Sequence, residues 1–123
     1  MPTEARATAH HSSVDLSPIS QLLAVLKDQF DPNEIWLFGS RARGEASEGS
    51  DWDLLVVVPD GTAAAVMDPL VAWRARKRAG VPADVIVCTE SEFRDDRETV
   101  NTVAFSAGRE GFRVYERRPT HRE

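Results

Sequence analysis

Residues 36–58, WLFGSRARGEASEGSDWDLLVVV, decide the fold of this 123-residue chain. Two short apolar runs, 35–38 and 54–58, enclose a polar stretch that is rich in glycine, serine and charged residues. The second run is uninterrupted and mostly β-branched, which is typical of a buried strand. The segment therefore predicts two strands joined by a polar connection.

Polar residues lie where each apolar run meets this connection. Gly39 and Ser40 end the first run, and ten residues later Asp51 and Asp53 open the second. Acids at positions i and i+2 of one strand point to the same face, with their backbones about 7 Å apart. Two carboxylates beside a Gly-Ser turn can hold divalent cations against phosphate oxygens. A short helix is expected from Ser40 to Gly44, and its first backbone N–H groups can also face a phosphate.

This spacing resembles the signature hG-S-x10-D-x-D of the DNA polymerase beta-like nucleotidyltransferase superfamily. It is closest to the minimal nucleotidyltransferases, the MNT-type antitoxins, and the resemblance covers residues 18–116. The longer pattern GSxARGxxxxxSDxDL is matched by Gly39, Ser40, Arg43, Gly44, Ser50, Asp51 and Asp53. The resemblance implies a nucleotidyltransferase fold of the α/β (α+β) class, a small mixed β-sheet flanked by helices, with the helices on one side of the sheet.

The resemblance also implies an enzyme that transfers a nucleoside monophosphate with the help of metal ions. Asp51 and Asp53 are then expected to hold two Mg²⁺ ions. ATP or another nucleoside triphosphate is the expected donor. Its phosphates would be bound at the nucleotide-binding positions of the family, which here are Gly39, Ser40, Arg43 and Ser50.

A third carboxylate is expected on the next strand. Two-metal phosphoryl transfer usually adds an acid that shares one metal and lies near the attacking hydroxyl. In the superfamily this acid belongs to a pattern h-D-h-h-h, which Asp84 matches within residues 82–87, PADVIV. An acid inside a strongly apolar strand is costly to bury unless it is paired or metal-bound. The alternative is that Asp84, the second residue of its predicted strand, points to water.

Simpler explanations exist for three other side chains. Arg41 and Arg43 can be exposed partners of Glu45 and Glu48, although Arg43 holds the arginine position of the family. Trp52 lies between the two acids, so it should point to the opposite face of the strand. We expect it to pack beneath a helix rather than to stack on a base.

The charge of the chain limits its partners. A formal charge of −5 argues against general nucleic-acid binding, so no direct DNA binding is expected. One cluster is basic, and it consists of Arg74, Arg76, Lys77 and Arg78. These cations either stabilise the C-terminal end of a helix or contact a nucleotide or an acidic partner.

Composition also predicts the compartment. No apolar run approaches the ~20 residues of a membrane span, and the N-terminus lacks the apolar segment of a signal peptide. The single cysteine, Cys88, cannot form an internal disulfide, which favours a reducing cytoplasm. Because Cys88 ends the apolar run 85–88, it is expected to be a buried filler and not a nucleophile.

The remaining pattern predicts one domain, residues 17–116, between a disordered N-terminal tail, 1–16, and a flexible C-terminal tail, 117–123. Helices are expected at 17–30, 68–79 and 96–110, and strands at 34–38, 51–58, 83–88 and 112–115. Residues 89–93 are expected to form a connector or a single helical turn. Besides the strands, the core is expected to contain Ile19, Leu22, Leu23, Leu26, Phe30, Leu70, Trp73, Val100, Val103 and Ala104.

The acceptor of the nucleotide is not specified by the residues. No part of the chain is left for a second, acceptor-binding domain, so another macromolecule is expected to present the hydroxyl. By resemblance, that partner is a HEPN-domain RNase toxin, which some minimal nucleotidyltransferases neutralise by adding AMP to a tyrosine. Two alternatives are an antitoxin that acts by contact alone and a homo-oligomer, a dimer, that modifies a small molecule.

Overall fold

The computed structural model describes residues 14–47 and 49–117, so residues 1–13 and 118–123 of the predicted tails lie outside it. A 3₁₀ turn, Ser17–Ile19, comes first. The elements that follow are α1 Ser20–Phe30, β1 Glu34–Phe38, α2 Ser40–Arg43, β2 Trp52–Val58, α3 Ala64–Met67, α4 Pro69–Ala79, β3 Ala83–Thr89, α5 Glu90–Asp96, α6 Val103–Glu110 and β4 Phe112–Glu116. Within the described ranges, no helix combines the length and the apolar character that a bilayer crossing requires.

The four strands form one mixed sheet in the order β3-β2-β1-β4. β1 pairs antiparallel with both β2 and β4, whereas β2 and β3 are parallel. The parallel pair needs a crossover, and α4 lies within it. The α/β class and the mixed sheet are therefore confirmed, and β3 and β4 form its two edges.

The first core lies between one face of the sheet and the helices α1 and α4. Alternate residues of β2 point into it, and α1 contributes the predicted apolar stripe. Its fully buried members include Ile19, Leu22, Leu26, Ile35, Leu37, Leu54, Val56 and Val58. Val14 and Leu16, from the end of the predicted N-terminal tail, also pack against this core.

The second core lies on the opposite face, beneath α5 and α6. Leu55 and Val57 of β2 alternate with the residues of the first core, and they contact Phe93 and Ala107 from the two helices. The ring centroids of Trp36 and Phe93 are 5.5 Å apart. The expectation of helices on one side of the sheet is thus wrong. Strands that are apolar on both faces need cover on both.

Helix α4 is correctly predicted in extent but rotated relative to expectation. Asp68 caps it by accepting a hydrogen bond from the Leu70 N–H, with Pro69 in the first turn. Leu70 and Trp73, expected in the core, are 51% and 47% exposed. The buried residues are Ala72 and Ala75, whose small side chains let the helix lie close to the sheet and to α1.

The segment that follows β3 also differs from expectation. The predicted connector begins helix α5, which starts with a capping box between Thr89 and Glu92. The predicted helix 96–110 is divided, because α6 begins only after Thr102, whose hydroxyl accepts a hydrogen bond from the Phe105 N–H. Val100, expected in the core, lies in the turn between the two helices and is 63% exposed.

Candidate active site

The Gly-Ser turn at the end of β1 lies against Asp53 of β2. Gly39 follows β1 with φ 77°, a backbone conformation that L side chains rarely adopt, and Ser40 then begins α2. A Cβ atom at Gly39 would lie 2.1 Å from Oδ2 of Asp53. Only a residue without a side chain therefore fits between the turn and this carboxylate. The structure places Gly39, Ser40 and Asp53 together, as the sequence pattern predicted.

The three acids meet at one end of the parallel strand pair. Asp53 and Asp84 are direct partners in the β2–β3 register, on neighbouring strands about 4.8 Å apart. Asp51 is exposed just before β2. Partial burial and the nearby charges of Asp84 and Asp51 raise the pKa of Asp53, against an opposing effect of Arg43. The carboxylates are thus close enough to repel one another.

These residues fit divalent cations. Carboxylate oxygens are the ligands that Mg²⁺ prefers, and acids held together on one sheet face lose their repulsion when a cation binds between them. Asp51, Asp53 and Asp84 would be the ligands. Within residues 14–47 and 49–117, no three acidic, histidine or cysteine side chains already enclose a space for a metal ion.

Two other predicted nucleotide-binding residues have partners within the protein. Arg43 forms ion pairs with Glu45, at 2.8 Å, and with Glu110, at 2.7 Å. The hydrogen bonds to these two carboxylates raise its pKa further. The Ser50 hydroxyl accepts a hydrogen bond from the Ser47 N–H, which shapes the loop before Asp51.

Arg41 is a residue of this region to which the sequence pattern assigned no binding role. Its guanidinium donates to the Ser50 carbonyl, with Nη2 at 2.8 Å, and lies 4.5 Å from the centre of the Trp52 ring. Trp52 itself is buried in the first core, as predicted. Arg41 thereby ties α2 to the residue that precedes Asp51. An arginine eleven residues before an aromatic strand residue was the only signal in the sequence.

Asp84 also borders a cavity that the sequence did not reveal. This cavity of about 200 Å³ lies between α4 and β3 and is lined by Pro69, Ala72, Trp73, Arg76, Asp84 and Val85. Arg76 donates a hydrogen bond to the Ala83 carbonyl at 3.0 Å, which holds α4 against the start of β3. Asp84 itself is exposed, at the border of this cavity.

Cys88 takes no part in this site. It lies further along β3, partly buried against the second core. Burial, and then the charges of Glu92, Asp96 and Glu90, raise the pKa of its thiol to about 12. A thiol that stays protonated is a poor nucleophile, and Cys88 packs as a partly buried side chain, where a buried filler was expected.

The mixed sheet, with a Gly-Ser turn at the end of β1 facing acids on β2 and β3, has the architecture of a nucleotidyltransferase domain. The sequence profile of the nucleotidyltransferase domain family matches residues 19–107, and the chain belongs to this family. Nucleotidyl transfer is therefore its class of activity, in a family that generally uses divalent metals.

Two solved structures share the fold. A protein assigned as a nucleotidyltransferase from Sulfolobus solfataricus superposes with a TM-score of 0.54 at 20% identity, over 90% of this chain and 87% of that one. A toxin–antitoxin structure solved with AMP-PNP gives a TM-score of 0.54 at 18% identity, over 80% of this chain and 73% of that one. A comparison with curated protein sequences returned no match.

Proposed function

We propose that this protein transfers AMP from ATP to a hydroxyl group of a protein acceptor, and that it acts in the cytoplasm as the antitoxin of a HEPN-domain toxin. The observation that carries the transfer reaction is the register of the parallel strands, which sets Asp84 beside Asp53. A third acid at this position gives the site one carboxylate more than nucleotide binding alone requires. The likeness to a toxin–antitoxin structure solved with an adenine nucleotide supports the choice of ATP and of a toxin partner.

Each residue has a distinct part in the proposed reaction. The Ser40 hydroxyl and the backbone N–H groups after Gly39 donate hydrogen bonds to the β- and γ-phosphates. Asp51, Asp53 and Asp84 would hold two Mg²⁺ ions, which would supply positive charge to the triphosphate and the pyrophosphate. Asp84 accepts the proton of the acceptor hydroxyl. The hydroxyl oxygen bonds to the α-phosphorus, and the bond from that phosphorus to pyrophosphate breaks in line with the attack.

Arg43 and Ser50 are proposed to assist the phosphates. Arg43 would exchange its carboxylate partners, Glu45 and Glu110, for a phosphate. Both ion pairs are exposed and screened by water, so the exchange costs little. Ser50 would contribute through the loop that it shapes before Asp51.

Asp84→Asn separates catalysis from nucleotide binding. Asp51 and Asp53 remain, so the variant should bind Mg²⁺–ATP nearly as tightly as wild type. Transfer should fall by about 10²–10⁴-fold, because general-base assistance is lost. We would measure affinity by titration, and transfer with α-labelled ATP, Mg²⁺ and the protein encoded by the neighbouring gene. Wild-type transfer rates in the variant would refute the role of Asp84.

The same variant decides between modification and contact as the antitoxin mechanism. Expressed with the toxin in cells, Asp84→Asn should fail to protect if the added nucleotide inactivates the toxin. Full protection without transfer would show that contact alone neutralises the partner. Asp95→Asn, an exposed acid on α5, is the matched control and should behave as wild type.

A further inference from the structure

Helix α4 presents an outer stripe that the fold leaves uncovered. Leu70, Trp73, Arg74 and Lys77 occupy positions i, i+3, i+4 and i+7, so they lie on one side of the helix, and all four are exposed. Ala72 and Ala75 face the other way, into the first core. We call these four residues the α4 stripe. Its apolar residues, Leu70 and Trp73, lie towards the capped N-terminus of α4, and its basic residues lie towards Gly80.

The α4 stripe adjoins the proposed catalytic acid. Trp73 belongs both to the stripe and to the cavity of about 200 Å³ that Asp84 borders. The hydrogen bond from Arg76 to the Ala83 carbonyl fixes the helix against this end of β3. Since β3 is an edge strand, the cavity opens at the side of the sheet. The Asp84 side chain shares the sheet face of Asp53, opposite to α4, so a segment lying on the stripe would reach its carboxylate by passing around the edge of β3.

We propose that the α4 stripe and this cavity bind the acceptor protein through an acidic segment that carries an apolar side chain beside the hydroxyl to be modified. This inference rests on the proposed function, for which it names the recognition chemistry. Trp73 and Leu70 bind the apolar side chain, and the cations of α4 bind the acidic ones. The segment is thereby held with its hydroxyl at Asp84.

Charge identifies the occupant as acidic. Residues 69–79 contain four cations and no acid, in a chain whose formal charge is −5. The Lys77 ammonium lies 5.0 Å from the centre of the Trp73 ring, so an aromatic surface and a positive charge are offered together. A second copy of this chain is disfavoured, because two α4 helices in contact would bring eight cations together.

A protein fits better than a nucleic acid. The apolar half of the stripe includes Leu70 and adjoins Pro69, and such aliphatic surface binds apolar side chains rather than stacking bases. Asp68 caps the start of α4 and Asp84 borders the cavity, and both carboxylates would repel a phosphate backbone. RNA is nevertheless the competing ligand that the experiment must include.

The test measures peptide binding separately from transfer. The probe is a dye-labelled peptide with one tyrosine and one leucine among glutamates, and its control is the same peptide with lysines in place of glutamates. Fluorescence anisotropy without nucleotide should show binding of the acidic peptide only, and the binding should weaken as salt is raised. Trp73→Ala should weaken it by at least about tenfold, as expected for an aromatic anchor. The double variant Arg74→Glu/Lys77→Glu should weaken it similarly.

Matched controls lie elsewhere on the surface. Val100→Ala removes an exposed apolar side chain, and Arg94→Glu/Arg109→Glu reverses two exposed charges, both away from α4. These variants should bind the acidic peptide as wild type does. The proposal is overturned if wild type fails to bind that peptide, if Trp73→Ala binds it unchanged, or if a single-stranded RNA oligonucleotide binds the stripe more tightly.

A transfer arm keeps the two proposals distinguishable. With α-labelled ATP and Mg²⁺, wild type should label the acidic peptide, and Trp73→Ala should raise KM with little change in kcat. Asp51→Asn should bind the peptide but not label it. Binding without labelling by wild type would contradict the proposed function and leave the docking surface intact. Labelling that is equally efficient in wild type and Trp73→Ala would support the proposed function and contradict the docking surface.

Discussion

Two glycines of the candidate site have nearly the same φ but differ in ψ, −161° at Gly39 and 20° at Gly44, and in their surroundings. Gly39 has φ 77° and Gly44 has φ 75°, on either side of the short helix α2. A Cβ atom would strike Asp53 at Gly39, whereas no atom lies within 4 Å of its position at Gly44. Both positions have a positive φ, but only Gly39 adds a close approach to the Asp53 carboxylate.

Gly39→Ala should abolish transfer, and Gly44→Ala should not. Gly44→Ala should strain the backbone by about 1–2 kcal/mol, and Gly39→Ala by about 1–3 kcal/mol, which unfolding in urea would measure. Only Gly39→Ala also displaces the Asp53 carboxylate, and a misplacement of about 1 Å can lower a rate about 10²-fold. Equal losses of transfer in the two variants would mean that the approach of Asp53 to Gly39 is not required for activity.

Replacing Asp53 or Asp60 by asparagine should change the stability of the protein in opposite directions. Asp53 has a raised pKa, so its contribution to stability is present below the ordinary aspartate value of 3.8 and is lost as pH rises through the folded-state pKa. Asp53→Asn should thus stabilise the metal-free protein at neutral pH, although it abolishes transfer. The effect should be below about 1 kcal/mol because water screens a partly exposed carboxylate.

Asp60 provides the control of opposite sign. Hydrogen bonds from the Ser91 hydroxyl and N–H lower its pKa, so its contribution is present above 3.8 and is lost as pH falls through the folded-state pKa. Asp60→Asn should therefore destabilise the protein at neutral pH. Thermal unfolding of both variants at neutral and acidic pH checks the two signs, and a destabilised Asp53→Asn variant would contradict the repulsion among the site acids.

At the scale of elements, the sequence predicted the helices and strands that have a strong apolar period or clear capping and turn residues at their ends. The four strands were predicted within one residue, as was α4 between Asp68 and Gly80, and α1 within three, because the 3₁₀ turn Ser17–Ile19 precedes it. The rotation of α4 was missed because large apolar residues were assumed to be buried, whereas two alanines fill the narrow space there. Helix α3, Ala64–Met67, is too short to show a period, and no side chain caps it.

The turn between α5 and α6 was missed for a different reason. Residues 96–110 contain no proline and have moderate helical spacing, but the Thr102 hydroxyl accepts a hydrogen bond that begins a new helix. In the site, the Gly-Ser turn and the acids of β2 were predictable from spacing, and Asp84 was assigned by resemblance. The partners of Arg43 and the setting of Trp73 depend on tertiary contacts that spacing does not encode.

The capping box of α5 should be measurable as stability. Thr89 accepts a hydrogen bond from the Glu92 N–H, and the Glu92 carboxylate accepts one from the Thr89 N–H. Thr89→Ala should lower the free energy of unfolding by about 1 kcal/mol. Thr99→Ala, whose exposed hydroxyl makes only a 3.4 Å hydrogen bond to Asp95, should change it much less. Equal effects in urea unfolding would show that the box does not stabilise α5.

At the scale of the whole molecule, the site joins segments that are distant in the chain. Gly39, Asp53 and Asp84 come from three elements and meet only in the assembled sheet. A ligand that binds them therefore stabilises the entire fold, by about 2.7 kcal/mol at a concentration a hundred times its Kd. Mg²⁺–ATP should raise the Tm of wild type and leave that of Asp51→Asn/Asp53→Asn unchanged. An equal rise in both would place the nucleotide elsewhere.

Because Asp53 is paired with Asp84, the transfer activity should also depend on the correct register of β2 and β3. Side chains alternate between the two faces of a strand, so a shift of β3 by one residue would turn Asp84 to the opposite face and Val85 and Val87 away from the first core. A molecule misaligned in this way could retain its secondary structure and still lack the third carboxylate. Active-site titration would then count correctly assembled molecules, which circular dichroism cannot distinguish from the others.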